Sequence, residues 1–349
     1  MNDPLTPYRG KCLDVVRMFV CGRSICCKRP QGRRMKDHAL RARLDQAEAR
    51  ALSWVAQHLH YFNPLKYTEM LKLDLAIKAS AELALLCDYA LGKRAGSEAD
   101  YERLASFLWS EVFCANEVRD YLLTAELGLL TFNFYGSLRQ CGYRDEDYER
   151  RLRALLDEGY VLASERIPTR DLDFVHSLQK LGFAYSREGA AQTYAKTLLS
   201  RHPSLYPLTT DDIYAITHVV FFVTDFGRMP GGLSKGDVDY LSASLPRLLR
   251  YYLRKHNWDL VAELIICLQA VGLSGVPEYD HALGLLLSAQ ADDGSFPGPI
   301  ADEGGRLWGE AKEVAKSATD GWQRFHDNYH TTLVSMIAAR AARTMPPSD

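Results

Sequence analysis

Residues 208–226 read LTTDDIYAITHVVFFVTDF, and the way this stretch folds decides the reading of the rest. Thr209 or Thr210 can cap a helix, because a side-chain oxygen there accepts from the free amides of the first turn. Asp211 and Asp212 follow, where negative charge meets the positive end of the helix dipole. Beyond them the residues are apolar nearly all round, the mark of a buried helix. Asp211, Tyr214, His218, Phe222 and Asp225 recur at steps of three and four, which puts them on one face. A polar stripe on a buried helix is either a satisfied hydrogen-bond network or a site, and the expectation is a site.

The same period governs the chain on both sides of this stretch. From Met35 onward, helical patterns run near 36–60, 67–92, 98–115, 117–140, 145–163, 168–183, 189–201, 210–226, 235–255, 258–272, 278–290 and 328–343. Pro and Gly punctuate them, and no segment has the two-residue alternation of a strand. Segments 145–163 and 235–255 are charged on one side, as outer helices are. Segments 117–140, 168–183, 210–226, 258–272 and 328–343 are more apolar, with isolated polar residues, as inner helices are. Twelve helices in six hairpins predict an all-α fold, a single (α/α)6 toroid over 35–345, with an open helical solenoid as the alternative.

Three segments fall outside that plan. Residues 1–34 carry eight Arg and Lys against Asp3 and Asp14 without helical period, and are read as a disordered basic leader. Residues 291–326 are too long for a turn and are read as a lid-like loop, with Trp308 and Trp322 pointing to ordered packing. Residues 346–349 are a tail.

Composition excludes some functions. A net charge of −2 gives no basic field for nucleic acid. No apolar run reaches the roughly 18–20 residues of a membrane span. Without an export signal the chain is read as cytoplasmic, and its eight cysteines as reduced thiols. The sequence does not fix an oligomeric state.

Three short motifs carry a family resemblance. Leu286-x3-Gln290-x3-Gly294-Ser295-Phe296 resembles the repeat of squalene–hopene cyclases, which also occurs in protein prenyltransferase β-subunits. There the Gln ties one hairpin to the next; Phe296 stands where that repeat ends in Trp. Thr209-Thr210-Asp211-Asp212 is similar to the D-x-D-D motif of class II terpene cyclases, with Thr209 replacing the first Asp. The resemblance implies that Asp211 or Asp212 protonates an alkene, with Tyr214 and His218 tuning its acidity. Asp327-Asn328-Tyr329-His330-Thr331 resembles the D-x-Y-H-T segment of farnesyltransferase β-subunits, whose His binds zinc. The thiolate of that family's D-x-C segment is missing here.

The leading expectation is thus a terpene-cyclase- or prenyltransferase-like enzyme of specialised metabolism, acting on a small isoprenoid or on a peptide. A second reading is a toroid enzyme using zinc, iron or another divalent metal, held by His330, His326, Asp211 and Asp212. A third is a helical-repeat binding protein without catalysis. Glu126, Asp173, His176, Asp225, Asp259 and Glu263 are the other polar residues expected to line a shared cavity; Asp173 with His176, and Asp259 with Glu263, share helical faces.

Overall fold

The computed structural model describes residues 31–67, 69–93, 96–124, 128–183, 187–229, 231–299 and 320–343. Residues 1–30, the stretch 300–319 with Trp308, and 344–349 lie outside them, and so does the side chain of Glu126. By contact the chain divides into Met1–Leu40 and Arg41–Asp349. Of the first unit, residues 31–40 are helix, so the helical start lies before Met35. The rest concerns the second unit.

The described residues are helices and connections, without a strand. In order they are α1 (Gln31–Gln57), α2 (Leu59–Phe62), α3 (Met70–Lys93), α4 (Glu98–Phe107) and α5 (Asn116–Thr124). Then follow α6 (Gly128–Gln140), α7 (Glu146–Asp157), α8 (Tyr160–Ala163), α9 (Pro168–Leu181) and α10 (Arg187–Ala195). The last are α11 (Thr210–Thr224), α12 (Lys235–Arg254), α13 (Trp258–Ala270), α14 (Pro277–Ser288) and α15 (Asp320–Arg343). None is long and apolar enough to cross a membrane.

Local chemistry sets the ends of these helices. Thr209 and Asp212 close a reciprocal capping box on α11, and Ser234 with Asp237 does the same for α12. Pro168 and Pro277 open α9 and α14, where a missing N–H costs nothing. Helix α11 ends on Asp225 and Phe226, both at positive φ. That is uncommon for residues with a Cβ.

Six helices pack in a cycle. Helix α3 packs on α6, α6 on α9, α9 on α11, α11 on α13, α13 on α15, and α15 back on α3. Of the segments read as inner, 168–183, 210–226, 258–272 and 328–343 contribute α9, α11, α13 and α15; 117–140 divides into α5 and α6, of which α6 packs in the cycle, and α3 is the sixth. The remaining long helices lie against it: α4 on α3, α10 on α9, and both α12 and α14 on α13. Helix α7 joins α6 through Tyr148 on Tyr135 and Glu149 on Arg139.

The two ends of the cycle are tied through α1. Arg340 of α15 is fully buried and donates to Glu48 at 2.6 Å and to the carbonyls of Ala90 and Gly96. Tyr101 donates to the same Glu48 carboxylate and lies under the Arg340 guanidinium. Gln290 donates to the carbonyls of Ala47 and Gly294 at 2.9 Å, so the residue read as a hairpin tie joins α14 to α1. Gly294 is required here, because φ is +98° and a Cβ would strike the Arg50 carbonyl. Phe296 is buried and donates its backbone N–H to Thr332 of α15.

The segment read as a loop to 326 is shorter than expected. The described helix α15 already includes Asp320, because Phe325 and Tyr329 pack at helical spacing against Phe62 and Trp54, and Trp322 is buried and stacks on His326. Trp322 therefore packs as part of a helix. The four described cysteines are unpaired: Cys87 and Cys267 buried, Cys141 half-buried, Cys114 exposed.

Candidate metal centre

Helix α13 is buried at every residue from Asp259 to Leu268. A helix so enclosed carries carboxylates only if neighbours compensate them. Asp259 and Glu263, one turn apart, face α11 and α15. Tyr214 donates to Asp259 Oδ2 at 2.6 Å, and Thr217 donates to Glu263. The other oxygen of Asp259, Oδ1, is buried without a hydrogen-bond partner, on a residue only 3% exposed. It lies 3.5 Å from Nε2 of His330.

His330 is brought in by α15, and Glu82 of α3 fixes its ring. Nδ1 sits 2.9 Å from Glu82 Oε2, and since a carboxylate only accepts, Nδ1 carries the hydrogen. Nε2 therefore faces Asp259 and Glu263. Donor atoms of Asp259, Glu263 and His330 all lie within 4.8 Å of one another. Donors at about 2.1 Å from one tetrahedral ion stand about 3.4 Å apart, so the atoms now up to 4.8 Å apart would close in by up to about 1.4 Å to share one ion. A carboxylate behind a ligating imidazole is the usual outer partner of such a site.

The charges respond to this crowding. Burial, then the neighbouring Asp259, push the Glu263 carboxyl up to about 8. Burial works against a charged His330, but Glu82 and Asp259 outweigh it and hold the imidazole up to about 9. Burial likewise opposes the Glu82 charge, yet His330 and then Lys78 bring it down to about 2. Three acids therefore share one imidazolium, and a divalent ion would replace its proton and that of Glu263.

His218 flanks the group. Its Nδ1 donates to the Tyr214 carbonyl at 2.8 Å and stands 3.7 Å from Glu263. Burial, then the positive charges of Arg170 and His330, press its pKa down to about 4. The ring is 27% exposed and that of His330 33%, so water reaches both although they sit on helices of the cycle.

Several expected residues are elsewhere. Asp211 is exposed, and Asp212 turns back onto Thr209, accepting from its N–H and hydroxyl at 2.8 Å. The Thr-Thr-Asp-Asp start is a helix cap, and neither carboxylate joins His330. His326 stacks on Trp322 at 5.0 Å and is not among the converging donors, because the aromatic ladder holds it. Asp173 is bound by Asn133 and Arg170, while His176 pairs with Asp225 at 2.8 Å. Asp225 and Asp88 share Arg228, and Lys180 completes that separate network. Cys267 directs its thiol to the Thr217 carbonyl, so the donor set is nitrogen and oxygen only.

Glu82 and Lys78 escaped sequence reading. Spaced i, i+4 in LKLDLAIKASAELALL, they look like an ordinary solvated pair.

A family model described as a domain of unknown function, DUF6895, matches residues 48–340. No curated protein and no solved structure matches the chain.

Proposed function

The chain belongs to the DUF6895 family, and we propose that its second unit is an (α/α)6 toroid enclosing the active site of a divalent-metal-dependent enzyme. The packing of α15 on α3 supports a closed ring over an open solenoid. The observation that carries the function is the convergence of Asp259, Glu263 and His330 on one point, with Asp259 Oδ1 buried without a hydrogen bond, 3.5 Å from His330 Nε2.

Asp259, Glu263 and His330 are the ligands. Mixed imidazole and carboxylate donors suit Mn(II), Fe(II) or Zn(II). Such an ion supplies Lewis acidity, or a bound water of lowered pKa. Glu82 holds the His330 tautomer, and Tyr214 fixes Asp259 so that one oxygen stays available. His218, its Nδ1 committed to backbone, turns its other nitrogen to whatever enters beside the ion. The cyclase reading rested on Asp211, which is exposed, and Asp212, which caps α11; a polar interior favours a polar substrate over carbocation chemistry.

The test is metal content of untagged protein purified without chelator, compared with His330→Ala and Asp259→Asn. Near-stoichiometric metal in the wild type, lost in both variants at unchanged helicity, supports the proposal. Wild-type protein that stays metal-free after dialysis against Mn(II), Fe(II) and Zn(II) sinks it, and leaves the binding-protein reading.

A further inference from the structure

Apart from the ion site, we propose that a crevice between α1 and α14 binds a phosphate group. Its volume is about 80 Å³, walled by Arg43, Gln46, Ala47 and Arg50 of α1, by Leu287 of α14, and by Gln290 just past its end. A water occupies about 30 Å³ of the liquid, so the space takes about two or three waters, or one oxyanion of that bulk. Arg43, Gln46 and Arg50 recur at steps of three and four and so share one face of α1. Neither α1 nor α14 belongs to the six-helix cycle.

The wall carries two positive charges and no acid. Arg43 commits one nitrogen, Nη2, to the Gly284 carbonyl and the Ser288 hydroxyl, each at 3.1 Å. Arg50 commits its Nη2 to the Ala291 carbonyl at 2.5 Å. Among the described residues neither guanidinium meets a carboxylate, and the Nε and Nη1 donors of both make no hydrogen bond. The acids close by are engaged elsewhere: Glu48 with Arg340 and Arg343, Asp45 with Arg343, and Asp293 with Ser295. The carbonyl end of α14 offers about half a negative charge, which leaves most of the two cations uncompensated.

The walls are also held in place. Gln290 ties the end of α14 to the Ala47 carbonyl, and Gly294 lies against the Arg50 carbonyl so closely that a Cβ would not fit. A ligand entering such a site has little left to order. Each guanidinium presents a planar fork of N–H donors that matches the oxygens of a phosphate, and the Gln46 amide can add another donor. A phosphate with up to two negative charges answers both arginines, where a carboxylate answers one. A neutral ligand would leave both charges standing.

The test is equilibrium dialysis of full-length protein against radiolabelled inorganic phosphate at constant ionic strength in chloride. Saturable binding with a Kd of about 1 mM or below is expected. Gln46→Glu keeps both arginines and every tie between α1 and α14, yet puts a carboxylate in the wall. It should weaken binding by about tenfold or more, and so should Arg43→Gln, both at unchanged helicity. His330→Ala should bind as the wild type does. Glycerol 3-phosphate displacing the label at lower concentration than unlabelled phosphate marks a phosphate ester as the ligand, and at higher concentration the free ion; either supports the site. Absence of saturable binding, or wild-type affinity in both Gln46→Glu and Arg43→Gln, overturns it. Binding lost in His330→Ala puts the phosphate on the ion site and overturns it as well.

Discussion

His330 and Glu82 lie 248 positions apart in sequence, yet Nδ1 of one meets a carboxylate oxygen of the other at 2.9 Å. The pair settles which imidazole nitrogen is free. Glu82→Gln keeps the shape but can present an amide N–H to Nδ1, which favours the wrong tautomer. Metal affinity should fall by about 10- to 100-fold, as for other outer-sphere partners of ligating histidines. Competitive titration against a fluorescent chelator measures it, and equal affinity in variant and wild type would count against the ligand role of His330.

Asp211 and Asp212 should separate cleanly. Asp211→Asn should leave metal content unchanged and stability within about 0.5 kcal/mol, as for an exposed residue away from the site. Asp212→Ala removes one half of the capping box and should cost about 1 kcal/mol in urea unfolding. Loss of metal in Asp211→Asn would return that carboxylate to the site.

Arg340 is 0% exposed, and its partners include Glu48 and two carbonyls. Arg340→Met strips the Glu48 carboxylate of a buried partner, although Arg343 and Tyr101 remain. Breaking a buried pair from one side costs about 3–5 kcal/mol. With Arg343 still in place, about 3 kcal/mol is expected, read as a lowered denaturant midpoint at unchanged slope. A shift below about 1 kcal/mol would mean that α1 and α15 are joined mainly by their aromatic contacts.

The pair of His176 and Asp225 sets a pH dependence. Burial, then the charge of Lys180, lower the pKa of His176 despite Asp225. A histidine with a folded pKa below 6.5 binds its proton more readily when unfolded. Its contribution is present above pH 6.5 and lost as pH falls through that value towards the folded pKa. Asp225 is also held below the ordinary carboxylate range: burial opposes this, but His176 and Arg228 prevail. Its share is lost at still lower pH. His176→Gln should therefore flatten the fall in stability as pH drops below about 6.5, measured by urea unfolding across that range. Parallel wild-type and variant curves would contradict the assignment.

The helical period exposed the all-α plan because each helix buries one stripe, and the stripe is written at steps of three and four. It also exposed Asp259 with Glu263, and His330, as polar residues on apolar helices. It did not reveal which of these meet, since that depends on the rotation of each helix against its neighbour. Thr-Thr-Asp-Asp fits a helix cap and an acid motif equally well in one dimension; the direction of the Asp212 carboxylate decides. Glu82 was invisible because its partner lies on the last helix of the cycle, and nothing in its own neighbourhood marks it.

Helix α15 carries His330 and also Arg340. A chain emerging from the ribosome thus holds Glu48, Glu82, Asp259 and Glu263 before either His330 or Arg340 can reach them. Both arrive together, on α15. A product cut short before Asp320 would lack the packing of α15 on α3 and α13, and Glu82 and Glu48 would lose His330 and Arg340. It should be found by proteases and chaperones instead of persisting as a folded chain.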